Sequence, residues 1–133
     1  MIEKFAVDLT QQYISGWKSN NLAMIISCLA ENCIVIESHG PTYHGISEIE
    51  LWFKFWMEAN SKVHKWDILS FCFSEKNETA YLEWDFACIS KEIEYALQGL
   101  SIIKYTENKI AFIHEYRMTH PAYRWKREQL NSA

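Results

Sequence analysis

The sequence predicts an α+β domain with helices laid over one face of an antiparallel sheet. Two patterns carry that expectation. Up to about residue 60, apolar residues recur mostly at steps of three and four, the spacing of a helix face. From Val63 onward they alternate or run continuously between short polar turns, as strands do. Helices followed by hairpin-linked strands is the order of an α+β fold, not of alternating strand–helix units. The 133 residues fit one domain, 1–133, with 119–133 as a tail. No linker, internal repeat or low-complexity stretch divides them.

Ile2, Phe5, Ala6, Leu9, Tyr13 and Trp17 mark the first helix, with Asp8, Gln11, Gln12 and Ser15 on its other faces. Gly16 and Ser19-Asn20-Asn21 end it. Asn20 or Asn21 caps a short, largely buried second helix through Leu22, Met24, Ile25, Ile26 and Leu29. Ala30-Glu31-Asn32 makes a tight exit. Cys33 to His39 is short and β-branched, hence a strand, ended by Gly40-Pro41, and Tyr43-His44-Gly45 continues a loop. Ser47-Glu48-Ile49-Glu50 has the form of a capping box, with Ile46 and Leu51 placed as a hydrophobic staple. The third helix carries Ile49, Trp52, Phe53, Phe55, Trp56 and Met57 and is too apolar to lie on a wet surface.

Val63 to Phe73 holds apolar residues on both parities and suits a strand covered on both faces for part of its length. After the turn Glu75-Lys76-Asn77-Glu78, Thr79 to Ile89 alternates clearly. Leu82, Trp84, Phe86 and Cys88 share the expected inward face; Tyr81, Glu83 and Asp85 share the other, although a one-residue slip would reverse them. Ser90-Lys91-Glu92 turns into a strand from Glu94 to Tyr105, where Gly99 marks a bulge or bend. Glu107-Asn108-Lys109 turns into the last strand, Ile110 to Met118, stopped by His120-Pro121.

A formal net charge of −4, with no basic stripe, argues against nucleic-acid binding. Arg124, Lys126 and Arg127 read as a solvated tail. Cys28, Cys33, Cys72 and Cys88 form no C-x-x-C pair, Met1 to Phe5 has no signal pattern, and no apolar run approaches a membrane span. The expectation is a cytoplasmic protein with reduced thiols and no membrane partner. The four glycines are isolated, so no phosphate-cradling loop is present, and no G-x-S-x-G nucleophile pattern occurs.

Several stretches together resemble the nuclear-transport-factor-2-like superfamily, in its ketosteroid-isomerase and SnoaL-like polyketide-cyclase branch. They are Tyr13 to Trp17, Asn21-Leu22, Leu29 to Cys33, Tyr43-His44-Gly45, Ala80 to Phe86, Gly99 to Ile103, and Asn108-Lys109-Ile110 leading to Glu115-Tyr116. They run in that family's order over nearly the whole chain. The resemblance implies a cystatin-like α+β barrel: a cone of curved antiparallel sheet, covered by three helices from the N-terminal half, enclosing a pocket. It also implies dimerisation through the sheet face. The superfamily holds isomerases, cyclases, dehydratases, epoxide hydrolases and non-catalytic binders, so fold alone does not give function.

An ungapped match from Tyr13 brings Tyr13 to the isomerases' oxyanion donor and Glu37 to their general base. Such chemistry needs a carboxylate raised in pKa by apolar surroundings, opposite a phenol that stabilises an enolate. Otherwise Glu37 is an exposed strand-end residue and Tyr13 a core aromatic. The isomerases' second acid aligns with Ser101, a weaker donor. Trp17, Trp52, Trp56, Trp84 and Phe86 are the expected wall for a small apolar ligand. Glu115 reaches the pocket mouth if its parity is inward, and is a solvated partner of Arg117 or Lys104 if outward. His39 is an auxiliary proton carrier at the rim. His39 and His44 flank a turn with only Glu37 as a third metal-ligand candidate, so no metal and no cofactor is assigned. The expected function is acid–base isomerisation, cyclisation or dehydration of an apolar carbonyl compound. The alternatives are a non-catalytic binder and a dimeric interaction domain.

Overall fold

A computed structural model describes residues 1–126. Helix α1 spans Glu3–Lys18 and α2 spans Leu22–Ser27. Strand β1 runs Leu29–Ile36 and β2 Thr42–His44, followed by helix α3, Gly45–Glu58. Strands β3 (Lys62–Ser74), β4 (Thr79–Ser90), β5 (Ile93–Thr106) and β6 (Lys109–Arg117) complete the chain order.

All six strands form one sheet in the order β2-β1-β6-β5-β4-β3. The helices pack on one face of it, α1 against β3 and β6 and α3 against β1 and β2. The core between the layers holds Ala6, Tyr13, Trp17, Ile25, Val35, Ile49, Leu82, Trp84, Ile103, Ile110 and Ile113, all essentially buried. Burying one such aliphatic side chain contributes roughly 1.5–3 kcal/mol, which is why these positions tolerate few polar replacements.

The sheet is mixed rather than wholly antiparallel. β1 lies parallel to β6, with Ile34 beside Phe112 and Ile36 beside His114. No hairpin can join parallel neighbours, so helix α3 and the four other strands lie between them in the chain. β1 also begins earlier than its β-branched core: Ala30-Glu31-Asn32 is not an exit turn but an irregularity inside the strand, where the register with β6 shifts between Leu29 and Ile34. The strand ends at Ile36, so Glu37 and His39 follow it in the turn, where Glu37 N–H donates to Pro41 O and Gly40 N–H to Glu37 O. Thr42 to His44, read as loop, pairs with β1.

Asn21 is the cap of α2: its side chain accepts from Met24 N–H at 3.1 Å. Asn20 instead takes φ 51° and ties α1 to the far side of the helical layer, accepting from Trp56 Nε1 and donating to Ser61 O. The capping box is displaced. α3 starts at Gly45, whose φ of +80° suits glycine, and Glu48 rather than Glu50 reaches back, accepting from His44 N–H at 2.9 Å. α3 is also wetter than its composition suggests: Ile49 alone is fully buried, while Leu51, Phe55 and Met57 are exposed.

In β4 the faces fall as the alternation predicts, Leu82, Trp84 and Cys88 buried and Tyr81 and Glu83 exposed. Gly99 makes no bulge, because pairing runs unbroken from Trp84 through Gly99 to Arg117. It is a point of close approach. A Cβ there would lie 2.1 Å from Tyr116 O and 2.6 Å from the Trp84 ring. Beyond β6 the described chain is irregular, and Tyr123 and Trp125 are exposed. The rest of the expected tail, 127–133 with Arg127, lies outside the described residues.

Candidate functional site

A cavity of about 490 Å³ opens between the helices and the concave face of the sheet. Its floor follows from the strand periods. Trp84, Phe86 and Cys88 project from β4, Leu97 and Tyr95 from β5, and Glu115 and Arg117 from β6. The helices contribute Tyr13 and Trp17 from α1 and Trp52, Phe55 and Trp56 from α3. Glu37, Ser38 and His39 close the side beyond β1.

The aromatic rings form one connected wall. Trp17 packs on Trp52 at 4.5 Å between centroids and meets Trp56 edge-on at 5.9 Å. Tyr13 lies edge-on to both Trp17 and Trp66, and Trp66 continues to Phe86 at 5.3 Å. Tyr43 stacks on Trp52 with planes 6° apart and centroids 4.2 Å apart. The indole N–H groups of Trp17 and Trp66 are buried without a hydrogen-bond partner. Buried donors of this kind cost stability unless something accepts from them.

Parallel pairing of β1 with β6 is what sets the two acids together. Since Ile36 lies beside His114, the next residues along, Glu37 and Glu115, come side by side at the cavity. The Tyr43 hydroxyl donates to Glu37 Oε1 at 2.6 Å. Burial raises the Glu37 pKa, opposed by that hydrogen bond and by the neighbouring His39. Burial, and then the Glu37 charge, push Glu115 up to about 8. The repulsion belongs to the pair and falls on whichever carboxyl ionises second, here the more strongly desolvated Glu115. Burial holds Tyr13 well above its ordinary value, with Glu115 adding to the rise, while the nearby Trp17 N–H favours the phenolate without reaching hydrogen-bond geometry.

The cavity therefore brings together Glu37, Tyr13, His39, Trp17, Trp52, Trp56, Trp84, Phe86 and Glu115. It leaves out Ser101. That hydroxyl is buried and accepts from Trp84 Nε1 at 2.8 Å, so it holds the indole from behind instead of facing a ligand. Its cross-strand partner on β6 is Glu115, so the second acid stands one strand over from the aligned position. Glu115 is inward, on the face of buried Ile113.

Sequence reasoning missed Tyr43, Trp66, Lys91 and Arg117 as cavity residues or partners. Arg117 shares the parity of Ile113 and Glu115, so the inward choice for Glu115 carries it along. Among the described residues no three His, Cys, Asp or Glu side chains group as metal ligands would.

No protein-family model matches the chain, and no curated protein sequence matches it. Solved structures do. An LEH-like epoxide hydrolase of M. tuberculosis superposes with a TM-score of 0.75 at 8% identity, over 86% of this chain and 84% of that one. A candidate polyketide cyclase of Pseudomonas putida gives 0.71 at 14% identity, over 84% and 90%. A protein of ketosteroid-isomerase-like fold from Catenulispora acidiphila, solved with trimethylamine, gives 0.68 at 14% identity, over 81% and 83%. The chain thus has the cystatin-like fold shared by nuclear-transport-factor-2-like, ketosteroid-isomerase-like and polyketide-cyclase-like structures. At these identities the likeness is one of fold, and the chemistry is argued from the site.

Proposed function

We propose that the cavity catalyses proton transfer on a small apolar carbonyl compound, as an isomerase, cyclase or dehydratase would. The observation that carries the reading is the pairing of Glu37 with Glu115 inside a tryptophan-lined cavity. Glu37 ionises first and is the base, taking a proton from the carbon next to the carbonyl. The electron pair moves onto the carbonyl oxygen, which becomes an enolate. Tyr13 and the still-protonated Glu115 donate hydrogen bonds to that oxygen. Glu37 then returns the proton to carbon, the same or another, and the carbonyl re-forms. His39 at the rim exchanges protons with solvent. Apolar walls serve this scheme twice, by raising the carboxyl pKa values and by strengthening each hydrogen bond to the enolate.

The test is deuterium exchange in D2O, followed by proton NMR, with 2-tetralone as probe. Protein-dependent loss of its α-proton signal, abolished in Glu37→Gln while the ketone still binds, is the expected result. Binding with no exchange above buffer in the unaltered protein would leave a ligand-holding role and refute catalysis.

A further inference from the structure

Two cations line the cavity, Lys91 on the turn between β4 and β5 and Arg117 at the end of β6. The ion pairs among the described residues are Met1 with Glu78, Lys4 with Asp8, His64 with Glu94 and Lys65 with Asp85. None uses Lys91 or Arg117. The absence matters most for Arg117, because Glu115 projects from the same face of the same strand two residues before it. Neither Glu115 nor Glu37 meets the guanidinium in an ion pair, and neither owes any of its shift to that charge. Arg117 is instead exposed and turned toward the cavity mouth, where it also borders a second, smaller hollow formed with Met118 to Pro121.

A cation at the mouth of an apolar cavity attracts one end of a ligand and not the other. Guanidinium offers a planar pair of N–H donors that fits a carboxylate, and it stays charged at every working pH. The two cavity acids stand one side-chain layer further in, away from that end. Resting on the proposed chemistry, we propose that the substrate is an amphipathic organic acid. Its carboxylate is anchored by Arg117 at the mouth, with Lys91 adding to the attraction. Its apolar body lies against the tryptophans, and its reacting carbon lies at Glu37. A phosphate ester fits less well, since among the lining residues Arg117 is the one forked donor.

Calorimetric titration with 2-naphthylacetate and 2-naphthylacetamide tests this, because the pair differ in charge and little in shape. The acid is expected to bind about tenfold tighter than the amide. Arg117→Gln should remove most of that difference, leaving at most the small share that Lys91 supplies, and should change amide affinity little. Arg117→Lys, which keeps the charge and loses the fork, should retain part of it. Because Arg117 is exposed, both variants should melt as the parent does, and that is checked alongside. Equal binding of acid and amide, a difference that Arg117→Gln leaves undiminished, tighter binding of 2-naphthyl phosphate than of the acid, or no binding of any of them overturns the anchor. Glu37-dependent exchange on 2-tetralone persists if the anchor alone is wrong and is absent if the proposed chemistry is wrong.

Discussion

The Tyr43 hydroxyl holds Glu37 Oε1 at 2.6 Å, and the Tyr43 ring is itself clamped flat against Trp52. The Glu37 carboxyl is thus oriented by a phenol from the shortest strand of the sheet. A hydrogen bond to the ionised form favours ionisation, so this contact offsets part of the effect of burial.

Tyr43→Phe keeps the stacking and removes the donor. The Glu37 pKa then rises, and less of the base is ionised at a given pH. The acidic limb of a pH–exchange profile should move to higher pH. An unmoved limb would mean that Glu37 is not the group whose ionisation controls exchange.

Glu115 makes stability depend on pH with a definite sign. Its folded pKa of about 8 stands above the ordinary 4.5, so the native state holds this proton more tightly than the unfolded chain does. Stability therefore falls as pH rises between those two values and levels off above the upper one, with a slope from this group of up to about 1.4 kcal/mol per pH unit. Urea unfolding of Glu115→Gln across that window should show a flatter profile than the parent. Parallel profiles would refute the perturbed acid.

Gly99→Ala forces a methyl into Tyr116 O and the Trp84 ring. A backbone oxygen cannot swing aside as a side chain can, so a loss of about 3 kcal/mol is expected, at the upper end of overpacking effects. Ser101→Ala acts on the same indole from the other side, leaving its buried N–H without an acceptor. A loss of about 1–3 kcal/mol follows. Chemical denaturation measures both, and unchanged midpoints would contradict the packing described.

Asn20→Ala removes the acceptor for Trp56 Nε1 and the donor to Ser61 O, and puts alanine at a left-handed φ. A loss of about 2–3 kcal/mol is expected. Asn20→Gly, which suits the backbone and loses only the side-chain bonds, should be the milder change. The two melting curves separate the contributions.

Helix α1 and strand β4 were legible because each sustains one period over many residues, and β3, β5 and β6 because polar turns bound long apolar runs and hairpin neighbours are near in sequence. The inward face of β4 was legible for the same reason. β2 was not, since three residues show no period. The parallel pairing was not either, because nothing local marks which distant strand lies beside β1. Within the site, Glu37 stood out as a carboxylate alternating with Cys33 and Val35. Glu115 was ambiguous because both faces of β6 are apolar, Ile113 inward and Phe112 and Tyr116 outward, so parity alone could not choose. Ser101 occupied an aligned position and not a cavity position. Side-chain direction, set by its bond to Trp84, decides that, and alignment does not carry it.

Pairing β1 with β6 joins an early stretch of chain to the last strand. Until residues 109–117 leave the ribosome, the inner edge of β1 has nothing to zip against, and the three helices rest on an open half-sheet. Closure is a late, long-range event of the kind that slows folding. The half-built protein exposes a sticky edge meanwhile. A chain that lacks β6 also lacks Glu115, so Glu37 then has no second carboxyl beside it.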